Sequence, residues 1–123
     1  CMKYRNISVW LEDILKAIEE IESFTAGITS YHQFLENRII VLATERDFEI
    51  IAEALKKALQ LNAQLIISNS KRIIGLRNII NHEYYEVEYD RIWMIIRKDL
   101  PVLKSEVKKI LEEYERKLDL NEL

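Results

Sequence analysis

Residues 8–21 read Ser-Val-Trp-Leu-Glu-Asp-Ile-Leu-Lys-Ala-Ile-Glu-Glu-Ile. Trp10, Ile14, Ala17, Ile18 and Ile21 recur at spacings of three and four, which places them in one stripe along a helix. Glu12, Asp13, Lys16, Glu19 and Glu20 mostly fill the opposite side. The pattern predicts an amphipathic helix from about Ile7 or Ser8 to Ser23, with Gly27 as its stop signal.

The same periodicity continues outward. Thr29 is placed to cap a short helix through Tyr31–Leu35. A second long helix is expected from about Glu36 to Leu61. It is apolar nearly all round at Ile39-Ile40-Val41-Leu42, which suits a central position. Over 63–69, Leu65-Ile66-Ile67 either extends a helix or forms a buried turn. Ser70 is placed to cap a third helix running to Asn81 or His82, and a fourth covers roughly Asp90 to Lys98. Asp99 is placed to cap a fifth, with Pro101 tolerated in its first turn, where a missing backbone N–H is harmless. That helix carries Leu103, Val107, Ile110, Leu111 and Tyr114 on one side. Short connections between long amphipathic helices predict an all-α, antiparallel bundle of four to five helices. Residues 1–123 are read as one domain, without internal repeat or linker.

Composition narrows the class. Only two Gly and one Pro occur in 123 residues, and 49% are hydrophobic. So few breakers leave little room for turns. The longest apolar runs are four or five residues, far from the roughly 20 that cross a bilayer. The one cysteine, Cys1, excludes an internal disulfide and fits a reducing cytoplasm, and no secretory signal is visible. Cytoplasmic localisation is the expectation. Two His and one Cys do not make a zinc site, so no metal or other cofactor is expected.

The net charge is -3, whereas a general nucleic-acid binder is usually basic. The charge is uneven. Residues 71–98 carry six bases (Lys71, Arg72, Arg77, Arg91, Arg97, Lys98) against four acids, and residues 11–57 carry ten acids against five bases. Any RNA contact is therefore expected near 71–98, although solvated helix faces produce the same imbalance.

Chemistry concentrates in Arg77-Asn78-Ile79-Ile80-Asn81-His82-Glu83-Tyr84. Arginine is a permanent cation shaped to grip phosphate, and histidine moves protons near neutral pH. Together they suit metal-free chemistry at a phosphodiester. Asn78 lies four residues before His82, on the same helix face, where it can orient the imidazole. Arg77 lies about 140° round an ideal helix from His82, so the two side chains converge only on a ligand near the helix end. Simpler roles compete. His82 can cap a carbonyl, Arg77 can pair with Glu53, and Tyr84, Tyr85 or Tyr89 can anchor the following segment as an aromatic plug.

The Arg-x4-His-x-Tyr pattern resembles the HEPN superfamily, and within it the HepT-like toxins. The resemblance extends to Ser8–Ile21 as the opening helix, to Arg46–Ala54 (RDFEIIAEA) in the second long helix, and to Trp93–Lys104 (WMIIRKDLPVLK) after the motif. It implies a small all-helical homodimer, with the motif helices facing across the two-fold. Further implied are a metal-independent ribonuclease toxin and a minimal nucleotidyltransferase (MNT) antitoxin as partner. By resemblance, Arg77 and His82 are the catalytic pair, Asn78 and Glu53 support them, and Tyr84 accepts AMP from the partner and so silences the nuclease. The alternative is a non-catalytic subunit that binds a nucleotide or substrate for the nucleotidyltransferase. The chain lacks a Gly-rich phosphate loop and so is not itself the transferase. Arg46 and His32 are read as structural, and Trp10 and Trp93 as core.

Overall fold

The computed structural model describes residues 2–81 and 89–120, and the side chains of 2–75 and 89–120. Among the described residues six α-helices follow in chain order: α1 (Met2–Thr25), α2 (Tyr31–Glu36), α3 (Arg38–Leu61), α4 (Ser70–Asn81), α5 (Tyr89–Met94) and α6 (Leu100–Asp119). A π-helical turn, Ile95–Asp99, joins α5 to α6. No strand occurs among the described residues, and the expected all-α bundle is what forms.

The stripe of α1 is buried as its spacing requires. Ile14, Ala17, Ile18 and Ile21 are sealed, joined by Ile7 and Leu11. They meet Phe48, Ile51, Leu55 and Ala58 of α3 in one core. Lining residues fix the direction of this pair. Asn6 of α1 lies with Gln60 and Leu61 of α3, and Trp10 lies with Glu53 and Ala54, so the helices are antiparallel. The last helix, α6, covers α1 in the opposite sense. Lys104 pairs with Glu22 at 2.7 Å, and Tyr114 meets Tyr4 edge-on at 5.1 Å. On the other side α4 packs against α3, with Ile73 buried.

Helix ends differ in detail from the sequence reading. Ser30, not Thr29, caps α2, its hydroxyl accepting from Gln33 N–H at 3.2 Å. Thr29 instead bonds the Gln33 side chain. Asn37 interrupts what looks like a continuous helix from Glu36. It closes α2 and caps α3, accepting from Ile40 N–H at 3.2 Å. Such a residue satisfies one of the amide groups a helix start leaves without a partner. Residues 62–69 do not extend a helix. Asn62 ends α3, and its side chain accepts from Gln64 N–H. Ser68 binds the Glu106 carboxylate of α6 through both N–H and hydroxyl. Asn69 takes the left-handed conformation (φ 60°), a backbone state asparagine tolerates, and its carbonyl accepts from Ile73 N–H at 3.0 Å. Ser70 is thus the first helical residue rather than the cap.

Two expectations are corrected. Ile39 and Leu42 are not central. They are 79% and 47% exposed, because the inward face of α3 is already filled by Val41, Thr44 and Phe48. Asp99 is not a cap either. It has helical φ/ψ and no capping hydrogen bond, because the helix does not stop there. The backbone is helical from Tyr89 to Asp119, so no free amide group is left for Asp99 to cap. Pro101 sits two residues beyond the π turn, where Leu100 N–H bonds Ile95 C=O. A proline ring clashes with a regular i-4 carbonyl, and the widened turn relieves that clash.

Candidate active site

Arg77 and Asn78 lie in the second half of α4, whose last residue, Asn81, directly precedes His82. Their side chains, together with His82, Tyr84 and Tyr85, fall outside the described residues. The backbone therefore puts the arginine of the motif on a helix held against α3, and His82 is next in sequence after the last described residue of that helix.

Glu53 stands on α3, half-buried, with Lys57 at 3.9 Å. It lines a groove of about 330 Å³ with Trp10, Asp13, Arg46, Glu49 and Ile50. Trp10 is therefore not fully core. It is half-buried and lines this groove as well as a second one beside Asn6 and Lys57. Arg46 pairs with Glu49 at 3.4 Å and His32 with Glu36 at 2.8 Å, both on the surface. Pairs this exposed contribute little to stability.

A buried acidic contact lies further along the α1–α3 seam. Asp47 is only 5% exposed. Burial, followed by the charge and hydrogen bond of Glu20, pushes its pKa up to about 6, and Arg46 partly opposes this. A carboxyl group held this way keeps its proton into mildly acidic pH.

The segment after the motif is fixed by contacts that sequence spacing does not reveal. Trp93 of α5 stacks on Phe34 of α2, with ring centroids 5.3 Å apart, and the Arg97 guanidinium lies 5.5 Å over the Trp93 ring. Arg72, early in α4, donates two hydrogen bonds to Asp99, at 3.0 and 2.9 Å. Arg38, the first residue of α3, donates to the Tyr89 hydroxyl at 3.3 Å. These partners are 27 and 51 residues apart, beyond any helical periodicity. Lys71, Arg97 and Lys98, next to Arg72 and Asp99 in sequence or within two residues of them, are exposed.

The family model described as ribonuclease HepT-like matches residues 14–110, which contain α4 and the motif. The chain belongs to the HepT-like family. Among its relatives is a protein named "Putative RNase" from Methanocaldococcus jannaschii, 34% identical over 108 residues, covering 86% of this chain and 97% of that one. Another of that name, from Caldanaerobacter subterraneus subsp. tengcongensis, is 36% identical over 107 residues, covering 84% and 92%. A Thermococcus cleftensis protein named "Probable ribonuclease HepT" is 32% identical over 115 residues, covering 86% and 96%. No solved structure matches the chain. The HepT-like match spans α3 to α5 entire, so the elements that hold the motif are family elements. Among the described residues, no helix is long and apolar enough to cross a membrane.

Proposed function

We propose that this chain is a metal-independent endoribonuclease, the toxin of a pair whose antitoxin is an MNT-type nucleotidyltransferase. The observation that carries this reading is membership of the HepT-like ribonuclease family across 14–110, with Arg77, His82 and Tyr84 inside that span. The exposed bases at Lys71, Arg97 and Lys98 support contact with a phosphate backbone.

In the proposed reaction the RNA 2′-oxygen attacks the adjacent phosphorus. The 2′ O–H loses its proton to a base, the bond from phosphorus to the 5′ oxygen breaks, and that oxygen takes a proton. The product ends in a 2′,3′-cyclic phosphate. His82 serves one or both transfers, a contribution typically worth about 10² to 10⁴ in rate. Arg77 stabilises the charge that grows on the phosphoryl oxygens, most strongly in the transition state. Asn78 and Glu53 orient this pair.

The protein acts as a homodimer with two motif helices facing one cleft, a self-complementary arrangement that a two-fold permits. The antitoxin transfers AMP to Tyr84. The added phosphate lies beside Arg77 and competes with RNA through the same electrostatics. RNA cleavage by the chain freed of its partner tests the reading, with loss of cleavage in Arg77→Ala and His82→Ala as the expected result.

A further inference from the structure

Tyr89 is the first residue of α5, seven residues after His82 and five after Tyr84. Its hydroxyl accepts from Nη1 of Arg38 at 3.3 Å. Glu45 bears on the same hydroxyl from further along α3. Arg38 and Glu45 are seven residues apart, about two helical turns, and so share a face. Burial raises the Tyr89 pKa, Glu45 adds to the rise, and Arg38 opposes it. The phenol thus keeps its proton at neutral pH. It accepts from Arg38 as a neutral phenol. Oε1 of Glu45 is buried with no hydrogen-bond partner among the described residues. An acceptor buried this way is costly unless the site gains something in return. Among the described residues, Tyr31 of α2 and Asp90 are further ionisable groups near this point.

The chain that carries the motif is therefore held at both ends by one helix. Before the motif, α4 packs on α3. After it, Tyr89 is held by Arg38 and faced by Glu45, both of α3. Ring burial alone would anchor Tyr89, but a hydroxyl held by the Arg38 guanidinium at 3.3 Å also fixes the rotation of α5. We infer that Arg38 and Tyr89 form a clamp that sets where the chain rejoins the bundle at α5, and that they are positioning residues for His82 and Tyr84. The inference rests on the ribonuclease reading of the motif.

The test uses imidazole NMR and RNA kinetics on the full chain. His32 and His82 are the two histidines. His32, exposed and paired with Glu36, is the internal reference. Tyr89→Phe keeps the ring and removes the acceptor. Arg38→Met removes the donor at an exposed position, and carries the same measurement if Tyr89→Phe does not fold. In both variants the His82 titration midpoint and shift should move while those of His32 stay. RNA turnover should fall about ten- to a hundredfold with KM nearly unchanged, the scale of loss that misplacement of a reacting group produces. Arg38→Lys should recover part of the loss. A His82 titration that superimposes on wild type in both variants overturns the clamp, whatever the nuclease activity. A displaced His82 in a protein whose wild type cleaves no RNA upholds the clamp and overturns the ribonuclease reading instead.

Discussion

Arg72 and Asp99 join the start of α4 to the π turn that precedes α6, through two hydrogen bonds of 3.0 and 2.9 Å. The carboxylate is nearly buried, whereas the arginine is half-exposed. Its planar fork matches both carboxylate oxygens, a geometry lysine does not reproduce. The contact ties the helix that carries Arg77 to the helix that follows the motif.

Arg72→Met should destabilise the fold by about 1 to 3 kcal/mol, because it leaves a buried acceptor pair without its donor. Asp99→Asn should cost less, since one carbonyl oxygen remains to accept. Chemical denaturation of the two variants checks the order. Equal stability of Arg72→Met and wild type would show that water already satisfies Asp99.

Asp47 predicts how stability responds to pH. Its pKa is about 6 in the folded protein and near 3.9 in an unfolded chain. Between these values the folded state binds more protons than the unfolded state, so stability falls as pH rises from about 4 to about 6. The loss is then complete and persists at neutral pH, on the order of 2 to 3 kcal/mol. Asp47→Asn, which cannot ionise, should be more stable than wild type at pH 7 and should lose that advantage near pH 4. Thermal melts at the two pH values measure this, and an advantage that is equal at both would remove Asp47 as the cause.

Most of the bundle was legible because burial follows helical spacing. The stripe from Ile14 to Ile21 and the span of α4 appear directly in the sequence, and so does the likeness to the HepT-like family. What escaped was of two kinds. Asn37 breaks a pattern that reads as continuous helix, because a single capping residue leaves the periodicity intact. Asp99 looks like a cap because it precedes Leu-Pro, yet a π turn carries the helix through it and frees its carboxylate for Arg72. The same limit hid the Arg38–Tyr89 contact. Tyr89 is one of three tyrosines able to anchor the segment after the motif, and only the packing of α5 beside α2 brings it to Arg38.

Tyr84 should be the residue that receives AMP. Tyr84→Phe keeps the ring and removes the acceptor oxygen, so the variant should remain a nuclease yet resist silencing by the partner enzyme and ATP. Intact-mass analysis should show added AMP on wild type and none on the variant. An adduct that persists on the variant, at Tyr85 for example, would assign the modification to another tyrosine.

The shared-cleft arrangement requires two copies. Sedimentation should give a particle of about twice the 14.7 kDa chain mass at micromolar concentration. A monomer that cleaves RNA at that concentration would contradict a cleft built from both motif helices.

The most direct measurement is RNA cleavage in EDTA by wild-type protein freed of its partner, run beside Arg77→Ala and His82→Ala, with helical content of all three checked by circular dichroism. The expected result is cleavage by wild type that leaves 2′,3′-cyclic phosphate ends, and a rate at least about 10²-fold lower in His82→Ala. Cleavage by His82→Ala at the wild-type rate, or by wild type only when divalent metal is added, would contradict the proposed chemistry.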